Sequence, residues 1–387
     1  MSVEWFDLAQ RLHAAHTGHP VARLIHSPVP VLADPIAVRA CVSRGVTTVT
    51  AATDVDGAAR TAHGRDALAL LDELGVSMTR ETHPTLVTDD HTTLPTLLAL
   101  ARSVPGDGPL SEPAAAVAWW ADRADFPGGA AIVNVVDGCR RRFVTGTAPD
   151  EEHHASTWRQ WLGIRDDATP GLLGTLAVLT AGQPLPLLTT LSGDDAYSWE
   201  RAQTEHADGW DWRRPDTTGR AATGLRGRCD AADLHAAAFL GDPLYRVRAV
   251  HTGHVVTGDA TVVPQSHLLT VTCPRLDARL RTGNPVTGWA GHPQDTTADR
   301  FTSTVRGSEV VAGRLVLTLA WVPGRTPTPG PVTLHPAPPS PYSQRNGRAR
   351  YRRLYGARRS WLTTGRTPVP HRRDVPLEVL VAGAEAD

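Results

Sequence analysis

The chain of 387 residues contains no lysine; all 39 of its basic residues are arginine. Asparagine occurs three times, at Asn134, Asn284 and Asn346, and isoleucine, phenylalanine and tyrosine are sparse. Amino acids with A/T-rich codons are thus avoided, as expected of a protein from a GC-rich bacterium. The missing lysine excludes whole chemistries. Schiff-base catalysis is ruled out, as are the P-loop and the phosphate-gripping lysine of kinases. Any phosphate contact must come from arginine, backbone amides or a metal, and arginine's planar fork suits bidentate phosphate binding and stacking.

Cysteine is equally uninformative as a site. Cys41, Cys139, Cys229 and Cys273 are far apart and form no CxxC pair, which leaves zinc ribbons, thioredoxin-like motifs and dense disulfide frameworks unsupported. Reduced, mostly buried thiols in a cytoplasmic protein are expected. The N-terminal MSVEWFDLAQRLHAAH has early acids and no basic region ahead of an apolar core, unlike a signal peptide. The uncharged run from Ala168 to Gly193 is long enough for a bilayer, but Gln183, Pro184, Pro186 and several threonines interrupt it. A buried helix over 171–182 is the expectation there, and no membrane partner.

What is present is charge, unevenly placed. The formal net charge is −1. Residues 1–110 carry 8 arginines against 12 acids and residues 111–240 carry 12 against 18, a net of −10. Residues 241–387 carry the compensating +9. No acid lies between Glu309 and Asp374, where twelve arginines do. Ten of these fall between Arg345 and Arg373, interleaved with Tyr351, Tyr355 and Trp361 and preceded by Tyr342. Guanidinium groups neutralise phosphates and release counterions, while aromatic faces and arginine planes stack on unpaired bases.

Along the chain, residues 1–110 alternate strand-like and helical patterns and read as a small α/β unit. A helix over 5–16 sets Trp5, Leu8, Leu12 and Ala15 on one side; VARLIHSPVPVL (21–32) reads as extended, GVTTVTA (45–51) as a strand, and 58–75 and 91–103 as helices. The stretch 103–113 reads as a boundary. Residues 111–240 are expected to be mainly helical. Within them, 131–146 reads as a β-hairpin turning at Asp137-Gly138, and 193–216 as loop-like. Asp230 is the expected cap of a helix ending at Leu240. Residues 241–335 hold short alternating strands, beginning with LYRVRAVHTGHVVTG, that suit a small OB-like or SH3-like β-barrel. Residues 336–387 form an Arg/aromatic-rich C-terminal extension. The fold class expected is therefore α+β and multi-domain: an α/β or α-rich N-terminal part, a barrel and a basic extension.

Several local patterns compete as sites. HTGH occurs at 16–19 and 251–254, so His16, His19, His251 and His254 can supply four imidazoles, but each copy contains a glycine and reads as a turn. His153-His154 beside Glu151 and Glu152 reads as solvated surface. Asp54 and Asp56 follow a strand and precede a glycine, a placement able to hold Mg²⁺. It resembles the DxD loop of haloacid-dehalogenase-type proteins, whose phosphate-binding lysine has no counterpart here. A polar turn is the plainer reading of those two acids. Arg140 and Arg142 fall on one face of the expected hairpin and there can meet phosphate. Trp158/Trp161 and Trp210/Trp212 read as core and interface anchors. No GxSxG, HExxH, GxGxxG or P-loop pattern occurs.

The leading expectation is a non-enzymatic nucleic-acid-binding or nucleoprotein-assembly protein acting through the barrel and tail, with single-stranded DNA or RNA favoured and no cofactor. Arg345, Arg348, Arg350, Arg352, Arg353, Arg358 and Arg359 contact phosphates in that reading, and Tyr351, Tyr355 and Trp361 stack. Two alternatives belong to other classes. One is a metal-dependent phosphoryl-transfer or hydrolytic enzyme using Asp54 and Asp56. The other is an assembly scaffold whose basic tail docks on an acidic protein surface, including its own.

Overall fold

In the computed structural model, which describes residues 3–165, 169–263, 268–296, 299–320 and 329–355, the chain opens with helix α1 (Val3–Thr17) and a two-residue strand, β1 (Val21–Ala22). Three strands then form an antiparallel meander: β2 (Pro35–Ser43), β3 (Val46–Ala52) and β4 (Arg60–His63). Helix α2 (Asp66–Glu73) leads to β5 (Thr85–Thr88), helices α3 (Thr93–Arg102) and α4 (Ser111–Arg123), and β6 (Ile132–Asn134). β5 runs parallel to both β2 and β6, so the five-stranded sheet has the order β4-β3-β2-β5-β6.

Alternation along the strands sorts the residues onto two layers. Val38, Ala40, Val49 and Ala51 face a core completed by Leu68 and Leu71 of α2, Leu97 and Leu100 of α3, and Val117 and Trp120 of α4. The connection at 103–113 therefore joins two helices of one core. On the opposite face Ala37, Val87 and Val133 meet helices α5 (Val135–Arg142), α6 (Ala155–Leu162) and α7 (Pro170–Thr180). Between α5 and α6 lie β7 (Phe143–Val144), which pairs with β1, and a 3-10 turn over Glu151–His153.

Four local expectations are corrected. Residues 131–146 do not turn at Asp137-Gly138. They form β6, α5 and β7, because the Asn134 side chain accepts bonds from the Val136 and Asp137 amides and starts a helix where alternation alone suggested a hairpin. Residues 58–75 divide into strand β4 and helix α2; Thr61 and His63 bond Thr50 and Thr48 across the strand pair. The charged stretch 193–216 is largely helix α8 (Leu188–Ala207), whose buried positions Leu188, Leu191, Asp195, Ser198 and Trp199 follow helical spacing but include two polar residues. Asp230 caps nothing: it lies inside helix α9 (Thr218–Phe239).

The cap is instead Asp242. It accepts from the Leu244 and Tyr245 amides and, with Pro243 in the first turn, starts helix α10 (Pro243–Val250) in a segment expected as strand. The barrel follows: β8 (Val256–Val263), β9 (Leu268–Cys273), β10 (Pro285–Ala290), β11 (Arg300–Val311), β12 (Arg314–Ala320) and β13 (Gly330–Pro336). It is closed, with every neighbouring pair antiparallel, in the order β10-β11-β12-β9-β8-β13 and back to β10. Val271, Val286, Val305, Leu317, Leu319 and Leu334 fill it. The molecule is thus α+β with a closed six-stranded barrel.

The chain divides into two compact units, residues 1–214 with 228–341, and residues 215–227 with 342–387. The sheet and barrel belong to the first. The second contains helix α11 (Pro341–Tyr355) from its second residue onward and the first turns of α9. Among the described residues, no helix is long and apolar enough to cross a membrane.

Candidate nucleic-acid interface

Helix α11 begins at a proline, whose fixed φ suits a first helical position, and reads PYSQRNGRARYRRLY: five arginines and no acid. It therefore has no internal ion pair to offset repulsion between arginines three residues apart, such as Arg345 with Arg348. Arg345 and Arg350 are exposed, Arg348 is half-buried, and Tyr342 is 72% exposed. Among the described residues, neither the Arg345 nor the Arg350 side chain has an ion pair or hydrogen bond. Tyr351, Arg352, Arg353 and Tyr355 belong to the last turns of the same helix. Arg358, Arg359 and Trp361 lie outside the described residues.

On the barrel, Arg306 and Arg314 are exposed and without an ion pair among the described residues. Arg306 sits in the bulge between Val305 and Gly307, and Arg314 follows the tight turn Ala312-Gly313 that joins β11 to β12.

The competing patterns resolve differently. Asp54 and Asp56 are exposed and engaged with each other, the Asp56 amide donating to Asp54 Oδ1 at 3.1 Å. That is an Asx turn, and among the described residues no three His, Cys, Asp or Glu side chains are placed to hold a metal. In the second HTGH, Arg279 lies 3.1 Å from His254 Nε2 and Thr252 lies 3.1 Å from Nδ1, so both ring nitrogens are engaged within the protein. Burial, with Arg279 beside it, pulls the pKa of His254 down. His251 stacks against Phe6. Arg142 does not face solvent on a hairpin. It donates to the Val178, Leu179 and Ala181 carbonyls and closes the C-terminal end of α7. Arg140 lies 4.0 Å from Asp137 on the same helix. Trp158 is buried, as expected of an anchor, while Trp210 is 47% exposed.

One feature escaped the sequence. The chain leaves β5 toward α3 on one face of the sheet and leaves β6 toward α5 on the other, which makes the carboxyl ends of these strands a topological switch point. Asp89, Asp90, His91, Asn134 and Asp137 gather there. Arg39 clamps Asp89 through Nε and Nη2, at 3.2 and 2.6 Å. Asp90 accepts from the amides and hydroxyls of Thr92 and Thr93. Burial pushes its carboxyl up, but these bonds outweigh it and hold the pKa below the usual range. Beside it, Arg39, Cys41, Thr48, Thr50, Asp90, Thr92 and Thr169 line an open groove of about 450 Å³. A strand followed directly by Asp-Asp-His was the available signal, but the partners Arg39 and Asn134 are about fifty residues away on either side. Asp54 and Asp56 are at the other end of the sheet, beyond Ala52, which pairs with Ala37 near the start of β2.

Comparison of the chain with protein-family models, with curated protein sequences and with solved structures finds no match.

Proposed function

We propose that this protein binds nucleic acid, with α11 and the basic residues that follow it as the phosphate-contacting element and the barrel, used in the manner of OB-like barrels, as its companion surface. The observation that carries the reading is α11 itself: a fifteen-residue helix with five arginines, no acid, and exposed Arg345 and Arg350 without carboxylate partners among the described residues. Exposed guanidinium groups such as Arg345 and Arg350 neutralise phosphates, and a polyphosphate that meets them releases condensed counterions. Tyr342 at its start offers an exposed ring for stacking. Arg306 and Arg314 add cationic points on the barrel.

The test compares the full chain with a form ending at residue 340. Binding of a labelled 30-nucleotide single strand and of the matching duplex is followed by fluorescence anisotropy at low salt. The full chain is expected to bind and to purify with a raised 260/280 nm absorbance ratio that falls after a high-salt wash. The shortened form is expected to lose most of its affinity. Retained affinity in the shortened form overturns the assignment to α11 and the tail. Absence of binding by the full chain to either strand form overturns the reading as a whole.

A further inference from the structure

Helix α1 is inverted relative to an ordinary surface helix. Its rotation is set by two bidentate ion pairs: Arg11 donates to both carboxylate oxygens of Glu152 at 2.8 and 2.9 Å, and Arg248 to both of Asp7 at 2.8 Å. Glu152 is 3% exposed and also receives the amide and hydroxyl of Thr145. Ala14 is fully buried, and the backbone of Ala15 comes so close to Gly146 that a Cβ there would lie 2.5 Å from it. The polar side thus faces inward and cannot roll. What faces out is Trp5, Leu8 and Leu12, exposed by 65, 43 and 62%, with Ala15 exposed at the edge of this side, where its Cβ borders Gly146. At about 100° per residue these four lie within an arc of about 80° and along about 15 Å of helix.

We propose that this stripe is a self-association surface, covered by α1 of a second copy of the chain running antiparallel about a two-fold axis. The 3-4-3 spacing of residues 5, 8, 12 and 15 is that of a two-helix seam. Antiparallel pairing stacks Leu8 on the second copy's Leu12 and sets the large Trp5 against the small Ala15, so each layer joins complementary sizes. Parallel pairing stacks Trp5 on Trp5 and leaves Ala15 against Ala15. Charge points the same way: Glu4 and the positive helix end come level with the His16 end of the other copy, and the two helix dipoles oppose. The isologous patch is closed by the symmetry, which makes a dimer and not a fibre. The apolar stripe of two copies buries on the order of 800 Å², short of the roughly 1,200 Å² typical of stable interfaces. Association is accordingly weak, with dissociation constants on the order of tens of micromolar.

Sedimentation velocity of the full chain from about 2 to 200 µM tests this. A reversible monomer–dimer equilibrium is expected, and Leu8→Glu or Leu12→Arg alone weakens it at least tenfold while leaving the circular-dichroism melting curve in place. The double variant Leu8→Glu/Leu12→Arg places opposite charges in each antiparallel layer and recovers association; parallel helices would set like charges together. A wild-type chain that stays monomeric throughout, single variants that associate as wild type does, or a double variant no better than the single ones each overturns the proposal.

Discussion

At the scale of single residues, the structure is held by ionisable groups whose partners are remote in sequence. Asp195 is fully buried and accepts from Arg123 Nε at 2.6 Å and from the Ala130 and Ala131 amides at 2.6 and 3.2 Å. Arg123 also stacks over Phe126. In the sequence Asp195 belongs to a charged stretch resembling a loop, and nothing local marks it as the inner residue of a helix. Truncation to alanine strands a buried guanidinium, so Asp195→Ala is expected to cost about 3–5 kcal/mol of unfolding free energy, read from urea midpoints. A second expectation concerns acid. Burial, aided by Arg141, lowers the pKa of His235 to about 4; burial likewise lowers His335 to about 4, outweighing its bond to the Pro336 carbonyl. A neutral histidine depressed in the folded state contributes stability that is complete above its unfolded pKa, roughly 6.5, and disappears as the pH falls toward 4. The urea midpoint is therefore expected to decline between pH 6.5 and 4, and less steeply in His335→Leu. An equal slope in both proteins contradicts this account.

At the scale of elements, legibility followed the source of each element's stability. The barrel strands and α7 announce themselves by alternation or by an apolar run, because their packing partners are apolar. α5 and α8 do not, since a capping asparagine decides the first and a buried ion pair interrupts the apolar period of the second. α10 was hidden by its β-branched-looking sequence and revealed only by the Asp242-Pro243 start. Among the candidate site residues, the arginines of α11 were readable as a run without acids, whereas the crevice around Asp90 depends on Arg39 and Asn134 brought in by strand pairing. The link from α10 to the barrel makes a sharp turn at Gly253, where φ is +73° and a Cβ would lie 2.1 Å from the Asp277 carbonyl oxygen. Gly253→Ala combines a disfavoured left-handed backbone with that collision. It is expected to destabilise by about 1–3 kcal/mol, measured as a shifted denaturation midpoint; a neutral effect would show that the turn adapts.

At the scale of the whole molecule, the near-zero net charge conceals an acidic first 240 residues and a basic remainder. Within the first unit, many arginines are spent on structure: Arg142 and Arg246 on carbonyl groups, Arg11, Arg39, Arg123 and Arg248 on carboxylates. α11 differs in having no acid of its own; like Arg306 and Arg314 of the barrel, its Arg345 and Arg350 are exposed and without partners among the described residues. Arg345 and Arg350 are proposed to meet phosphate. The most direct measurement is the salt dependence of single-stranded DNA binding between 50 and 200 mM, compared for the wild type and Arg345→Gln/Arg350→Gln. With about 0.7 counterion released per phosphate neutralised on a single strand, the double variant is expected to bind more weakly and to show a log–log slope shallower by about 1.4. An unchanged slope and affinity would place the phosphate contacts elsewhere and contradict the claim.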